Sequence, residues 1–315
     1  MNDTGFAIVL NNLQIADDLL PFEISESAVI RRATHFEAEH YKFLLKAAGQ
    51  FSTFIVDHGS EVKKVETTPG SFHNRYVPPE SSQLLVVETT EYNRNIQSIN
   101  MAGKLTRFQF RVGGHAGYAK DSNKKAVSMH QGFNSYELDL LQDFTHKGSI
   151  SIPLNELQEL RGYYVKINDN SKPVDRRINR AITIYHDIDT LPFFSELRTL
   201  SYFAVLECLL TRQDASGAAL SIQKQLQRKT ELLCNYIGFD TQNTKFFKPL
   251  GIKKLWEKLY ALRSSIAHGN IYDIRIDAPE LIDLQTVNSF MEQLVREMLR
   301  TAIDQYQLVA DLREC

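Results

Sequence analysis

A chain of 315 residues, 43% of them hydrophobic, is long enough to bury one large core or two ordinary ones. Its formal net charge of -2 gives no global field that gathers nucleic acid or anionic lipid, so a polyanion partner must be met by a local patch. The cysteines, Cys208, Cys234 and Cys315, are odd in number and share no CxxC spacing, which argues against a disulfide framework or a zinc site and for reduced thiols in a cytoplasmic protein.

Met1 to Leu20 carries no positive n-region, and its longest apolar stretch, Phe6 to Leu10, is too short for a secretory signal. No window approaches the roughly 18 apolar residues of a membrane span, so no membrane partner is expected. Residues 1–168 read as an α+β domain that senses or docks. Phe51–Val56, Gln83–Thr89, Leu105–Val112, Ser149–Ile152 and Tyr163–Ile167 predict strands, and Phe36–Ala48 a helix among them. At the start of that helix His35 and His40 are five apart, off the HExxH spacing, and predict a surface helix. Gly113 to Tyr118 and the lysines after it, Lys120, Lys124 and Lys125, read as a basic hairpin loop, with RNA guidance as the sharper alternative.

The polar stretch from Asn168 to Pro173 predicts a linker. Beyond it, residues 169–315 read as an all-α bundle of five helices near 174–188, 193–213, 218–236, 249–268 and 279–310. The fourth carries Leu255, Leu259, Leu262 and Ile266 along one stripe. Asp277 and Pro279 predict the start of the fifth.

The end of the fourth helix holds the chemistry. Arg263 stays charged at any useful pH and offers a planar fork to phosphate oxygens. His268 follows five residues later, about 7.5 Å along the axis and about 140° around it. One cleft serves both only if it wraps around the helix end or is completed by a second subunit. The bare spacing carries little weight, since Arg180 and His186 form a similar pair. The setting carries more: Ser264 and Ser265 lie between the two groups, Gly269 and Asn270 end the helix, and Lys245, Lys248, Lys253, Lys254 and Lys258 precede the pair. Those lysines are either a phosphate-facing patch or a solvated helix face. Glu207 lies within an apolar helix and needs a partner if buried, whether Arg263 or another arginine such as Arg198 or Arg180.

The pattern Leu259-Tyr260-x-x-Arg263-Ser264-x-x-x-His268-Gly269 resembles the HEPN superfamily, in particular its ApeA-like branch, and Phe203 to Leu210 is similar to that family's second helix. The likeness spans about residues 174–310. It implies an HEPN-like bundle that dimerises and cuts RNA without metal or cofactor, through attack of a 2′-hydroxyl that leaves a 2′,3′-cyclic phosphate. Carried over, Arg263 and His268 are catalytic, and Ser264, Tyr260 and Glu207 support them. Apart from the likeness, the charge pattern alone offers Lys253, Lys254, Lys258, Lys120, Lys124 and Lys125 as candidate RNA contacts. The family implies a role in phage defence, abortive infection or as a toxin, with a homodimer, RNA and an antitoxin or phage-derived trigger as partners. Ser264 departs from the Asn, Asp or His of several toxin branches. The rival expectation is an inactive HEPN dimer that binds RNA or a protein.

Overall fold

A computed structural model describes residues 4–11, 13–48, 61–68, 71–77, 84–90, 92–134, 137–138, 141, 150–169, 175–212, 221–239, 246–248 and 250–315. The predicted strand Phe51–Val56, Lys245 and most of the linker lie outside the described residues. The chain divides into two compact units, Met1–Asn168 and Asp169–Cys315.

The first unit contains strands β1 (Gly5–Val9), β2 (Leu13–Gln14), β3 (Phe22–Ser25), β4 (Ala28–Arg32), β5 (Glu61–Thr68), β6 (Ser71–Val77), β7 (Leu85–Thr89), β8 (Val112–Tyr118), β9 (Val127–His130) and β10 (Ile150–Ser151). Six of them form a sheet in the order β3-β4-β7-β1-β8-β9, in which every neighbouring pair is antiparallel. Strand β1 is buried at every residue, as expected of a strand covered on both faces. Phe6, Ile8 and Leu10 pack with Tyr41 and Leu45 of helix α1 (His35–Ala47). A capping box fixes the start of α1: Thr34 Oγ1 accepts from the Glu37 N–H, and the Glu37 carboxylate accepts from the Thr34 N–H. Helix α2 (Tyr92–Leu105) lies against β1, β7 and β8, and helix α3 (Leu154–Asn168) against α2 and β3.

Two expected strands are replaced here. Tyr163 to Ile167 is the last part of α3, because Leu157, Leu160 and Tyr164 recur at helical spacing and are buried; tertiary packing overrides the β-preference of Tyr-Tyr-Val. Leu105 to Val112 is a helix end, a turn and the first residue of β8. Thr106 makes that turn, its hydroxyl donating to the Gly103 carbonyl and accepting from the Phe110 N–H. Gly113 to Tyr118, expected as loop, is strand β8, and the three lysines fall in the connection to β9.

The second unit contains helices α4 (Arg176–Asp187), α5 (Glu196–Leu210), α6 (Ile222–Ile237), α7 (Ile252–His268), α8 (Ile274–Asp277), α9 (Leu284–Asp304) and α10 (Tyr306–Glu314). Helix α5 is apolar on most of its circumference, so it sits at the centre of the unit, against α4, α6, α7, α9 and α10. The expected helix over 279–310 is three pieces. Pro279 opens a single 3-10 turn, Asp283 caps α9 by accepting from the Thr286 N–H at 2.7 Å, and the chain breaks at Gln305 before α10. Asn288, fully buried on α9, accepts from Thr199 Oγ1 at 2.7 Å and donates to the Phe193 and Ser195 carbonyls, tying α9 to the start of α5.

Candidate functional site

The site residues on α5 and α7 meet because the two helices run in the same direction. Phe203 of α5 packs edge-on against Trp256 and Tyr260 of α7, with centroids 6.2 and 6.3 Å apart. One turn further along both helices, Glu207 Oε1 accepts from Arg263 Nη2 at 2.9 Å. The guanidinium carbon also lies 5.7 Å from the Tyr260 ring centroid. Arg263 is thus held by an ion pair and a ring. Its Nε is buried and has no hydrogen-bond partner. Arg198 takes a different carboxylate, Asp189, at 3.8 Å, and leaves Glu207 to Arg263.

The arrangement comes from ordinary packing. Leu255, Trp256, Leu259 and Leu262 bury one side of α7, and Glu257 and Ala261 between them are exposed. Ser264 and Ser265 are half-buried and His268 is exposed on the last turn. Gly269, at φ +67°, stops the helix in the left-handed region, and the Asn270 N–H closes the end onto the Ser265 carbonyl at 2.9 Å. The cap leaves His268 at the rim.

Helix α4 adds Arg176 and Arg177, which sequence reasoning passed over, beside Arg180. Arg177 Nη1 donates to the Thr211 carbonyl, just past the C-terminus of α5, at 2.8 Å. The start of α4 therefore lies beside the end of α5, and α4 runs antiparallel to it. Cys208, next to Glu207, feels the charges of Arg180 and Arg177, while burial pushes its thiol upward. The sequence signal was the pair Arg176-Arg177 with Arg180 on the following turn.

The lysines divide. Lys253 and Lys254 are exposed at the start of α7. Lys258 pairs with Glu280 at 2.9 Å, and that pairing holds the Glu280 carboxyl below its usual range. In the first unit, Lys124 pairs with Glu88, which also accepts from Arg31. Arg31 reaches Glu37 as well, at 2.6 Å, and Tyr118 donates to the same carboxylate. Burial alone would raise Glu37, but the hydrogen bonds from Arg31, Tyr118 and Thr34 outweigh it and hold the carboxyl low. Lys120 and Lys125 are exposed. His40 is half-buried against Phe6, Phe36, Phe43 and His130, where burial and then the charge of His130 lower its pKa.

Among the described residues no group of three or more His, Cys, Asp or Glu is placed to hold a metal ion, and no helix is long and apolar enough to cross a membrane. No protein-family model, curated protein or solved structure matches the chain.

Proposed function

We propose that the second unit is a metal-independent endoribonuclease of HEPN type. The observation that carries this reading is Arg263, fixed between Glu207 and Tyr260 on the same helix end as an exposed His268. Phosphodiester transfer within RNA needs a cation where charge develops on the phosphorane and a group that moves protons near neutral pH. Arg263 is the cation and His268 the proton carrier. The 2′-oxygen bonds to phosphorus, the bond from phosphorus to O5′ breaks, and a 2′,3′-cyclic phosphate and a 5′-hydroxyl result.

The offset of about 140° between the two side chains favours a cleft shared by two copies of the chain. There, one His268 takes the 2′ proton and the other returns a proton to O5′. Ser264 and Tyr260 line the approach to phosphate, and Glu207 holds the guanidinium. A nuclease of this kind suits phage defence, abortive infection or a toxin, kept silent until triggered or released from an inhibitor.

The test is incubation of the full chain with total RNA in EDTA, beside Arg263→Ala and His268→Ala. Cleavage by the wild type alone, with cyclic phosphate ends, is expected. Intact RNA in the wild-type lane overturns the enzyme and leaves a dimer that binds RNA or protein. On expression in cells, the wild type is expected to arrest growth and His268→Ala to permit it.

A further inference from the structure

The proposed chemistry uses two side chains, yet a strand of RNA must be held along several phosphates before one of them reaches Arg263. The lysines that the sequence offers as one possible phosphate-facing patch are poorly placed for this. Lys253 and Lys254 precede Arg263 by nine residues or more, about 14 Å back along α7 and away from the His268 end. Lys258 is already neutralised by Glu280.

The first turns of α4 lie at the correct end. Arg177 is bonded to the Thr211 carbonyl, and the Thr211 N–H bonds back to the Glu207 carbonyl at 3.1 Å. Glu207 in turn holds Arg263. A continuous chain of contacts therefore leads from the start of α4, over the end of α5, to the arginine on α7. Because α4 is antiparallel to α5 and α7 parallel to it, Arg180 stands at the level of Cys208 and Arg176 about one turn further out, the level reached by the last turn of α7.

Arg176, Arg177 and Arg180 are exposed. The side chains of Arg176 and Arg180 form no hydrogen bond or ion pair among the described residues. Among the described acids at this end, Asp175 pairs with Arg313 and also feels the charge of Arg177, Glu314 pairs with Arg313 and Arg212, and Glu207 with Arg263. Among the described residues, Arg176 and Arg180 thus have no paired carboxylate, in a chain whose net charge is -2.

We propose that Arg176 and Arg180 are a phosphate-binding track that delivers single-stranded RNA to Arg263 and His268. The proposal rests on the endoribonuclease reading for the direction of the strand, and its test separates the two. Binding of a 2′-O-methyl RNA oligonucleotide, which lacks the attacking hydroxyl, is followed by fluorescence anisotropy across a salt series with the full chain. The variant pair Arg176→Ala/Arg180→Ala is expected to weaken binding about tenfold and to flatten the dependence of log Kd on log salt by about 1.4, or about 0.7 for each phosphate that is no longer neutralised. Arg176→Lys/Arg180→Lys is expected to keep the slope. Lys253→Ala/Lys254→Ala is expected to change Kd less than about twofold, as for lysines off the track.

An unchanged Kd and slope in the double alanine variant overturn the track. So does a loss confined to the lysine variant, or a wild type that binds no oligonucleotide. Unmodified RNA is assayed in parallel: a wild type that binds with the expected slope but never cuts overturns the nuclease and leaves the track standing.

Discussion

Glu207 holds Arg263 across a helix boundary, with Oε1 2.9 Å from Nη2 and both side chains about one quarter exposed. The pair is half-wet, so its net contribution to stability is at most about 1 kcal/mol after solvent screening. Its greater effect is positional: it fixes one edge of the guanidinium, whose Nε is buried. Glu207→Gln removes the charge while nearly keeping the shape. It is expected to lower the cleavage rate about tenfold or more at little cost in melting temperature, whereas Glu207→Asp restores part of the rate. Single-turnover kinetics beside a thermal melt check this, and an undiminished rate in Glu207→Gln refutes the positioning role.

His268 and Arg263 predict different side effects. His268 is exposed on the last turn of α7, so His268→Ala is expected to change stability by no more than about 0.5 kcal/mol while cutting the rate about 10²- to 10⁴-fold. Arg263→Ala also strips the ring and the carboxylate of their partner, so it is expected to lose activity and melt slightly lower. Denaturant titrations of both variants, together with the RNA assay, separate the two effects.

A pH dependence of stability is expected from the first unit. Burial pushes the Glu137 carboxyl up to about 7, against the backbone N–H of Asn134, which favours the charged form. The folded state then binds a proton that the unfolded chain has released between the ordinary carboxylate value and about pH 7. The contribution is complete below pH 4.5 and is lost as pH rises toward 7, with a slope of up to about 1.4 kcal/mol per pH unit. Glu137→Gln is expected to flatten that slope in urea melts between pH 5 and 7. A slope identical to that of the wild type would show that Glu137 is not its source.

Two helical glycines predict opposite outcomes for the same substitution. A Cβ on Gly103 of α2 would sit 2.0 Å from the Phe110 carbonyl oxygen, a backbone atom that a side-chain rotation cannot clear. Gly103→Ala is expected to destabilise by about 2 kcal/mol or more. A Cβ on Gly162 of α3 meets nothing within 4 Å, so Gly162→Ala is expected to stabilise by about 0.5–1 kcal/mol through helix propensity and chain entropy. Equal melting midpoints for the two variants would contradict the close approach of α2 to the 106–110 turn.

Local patterns were legible where one rule acted alone. The stripe Leu255, Leu259, Leu262, the left-handed stop at Gly269 and the rim position of His268 all follow from helical periodicity and from the conformational freedom of glycine. The single helix expected over 279–310 was misread because its hydrophobic seam continues past the break at Gln305, and because Pro279 serves a 3-10 turn rather than the long helix. Tyr163 to Ile167 misled because residues that suit strands were recruited to a helix by burial against α2.

By itself the sequence determined which side chains can carry the proposed chemistry and that they end a helix, because residue type and helical repeat are properties of a few consecutive positions. Only the tertiary structure decided who holds whom: that Glu207 takes Arg263 while Arg198 takes Asp189, and that the arginines of α4 stand at the His268 end while Lys253 and Lys254 do not. Those relations depend on the direction and packing of helices separated by tens of residues, which are set by burial in a shared core and leave no trace in local spacing.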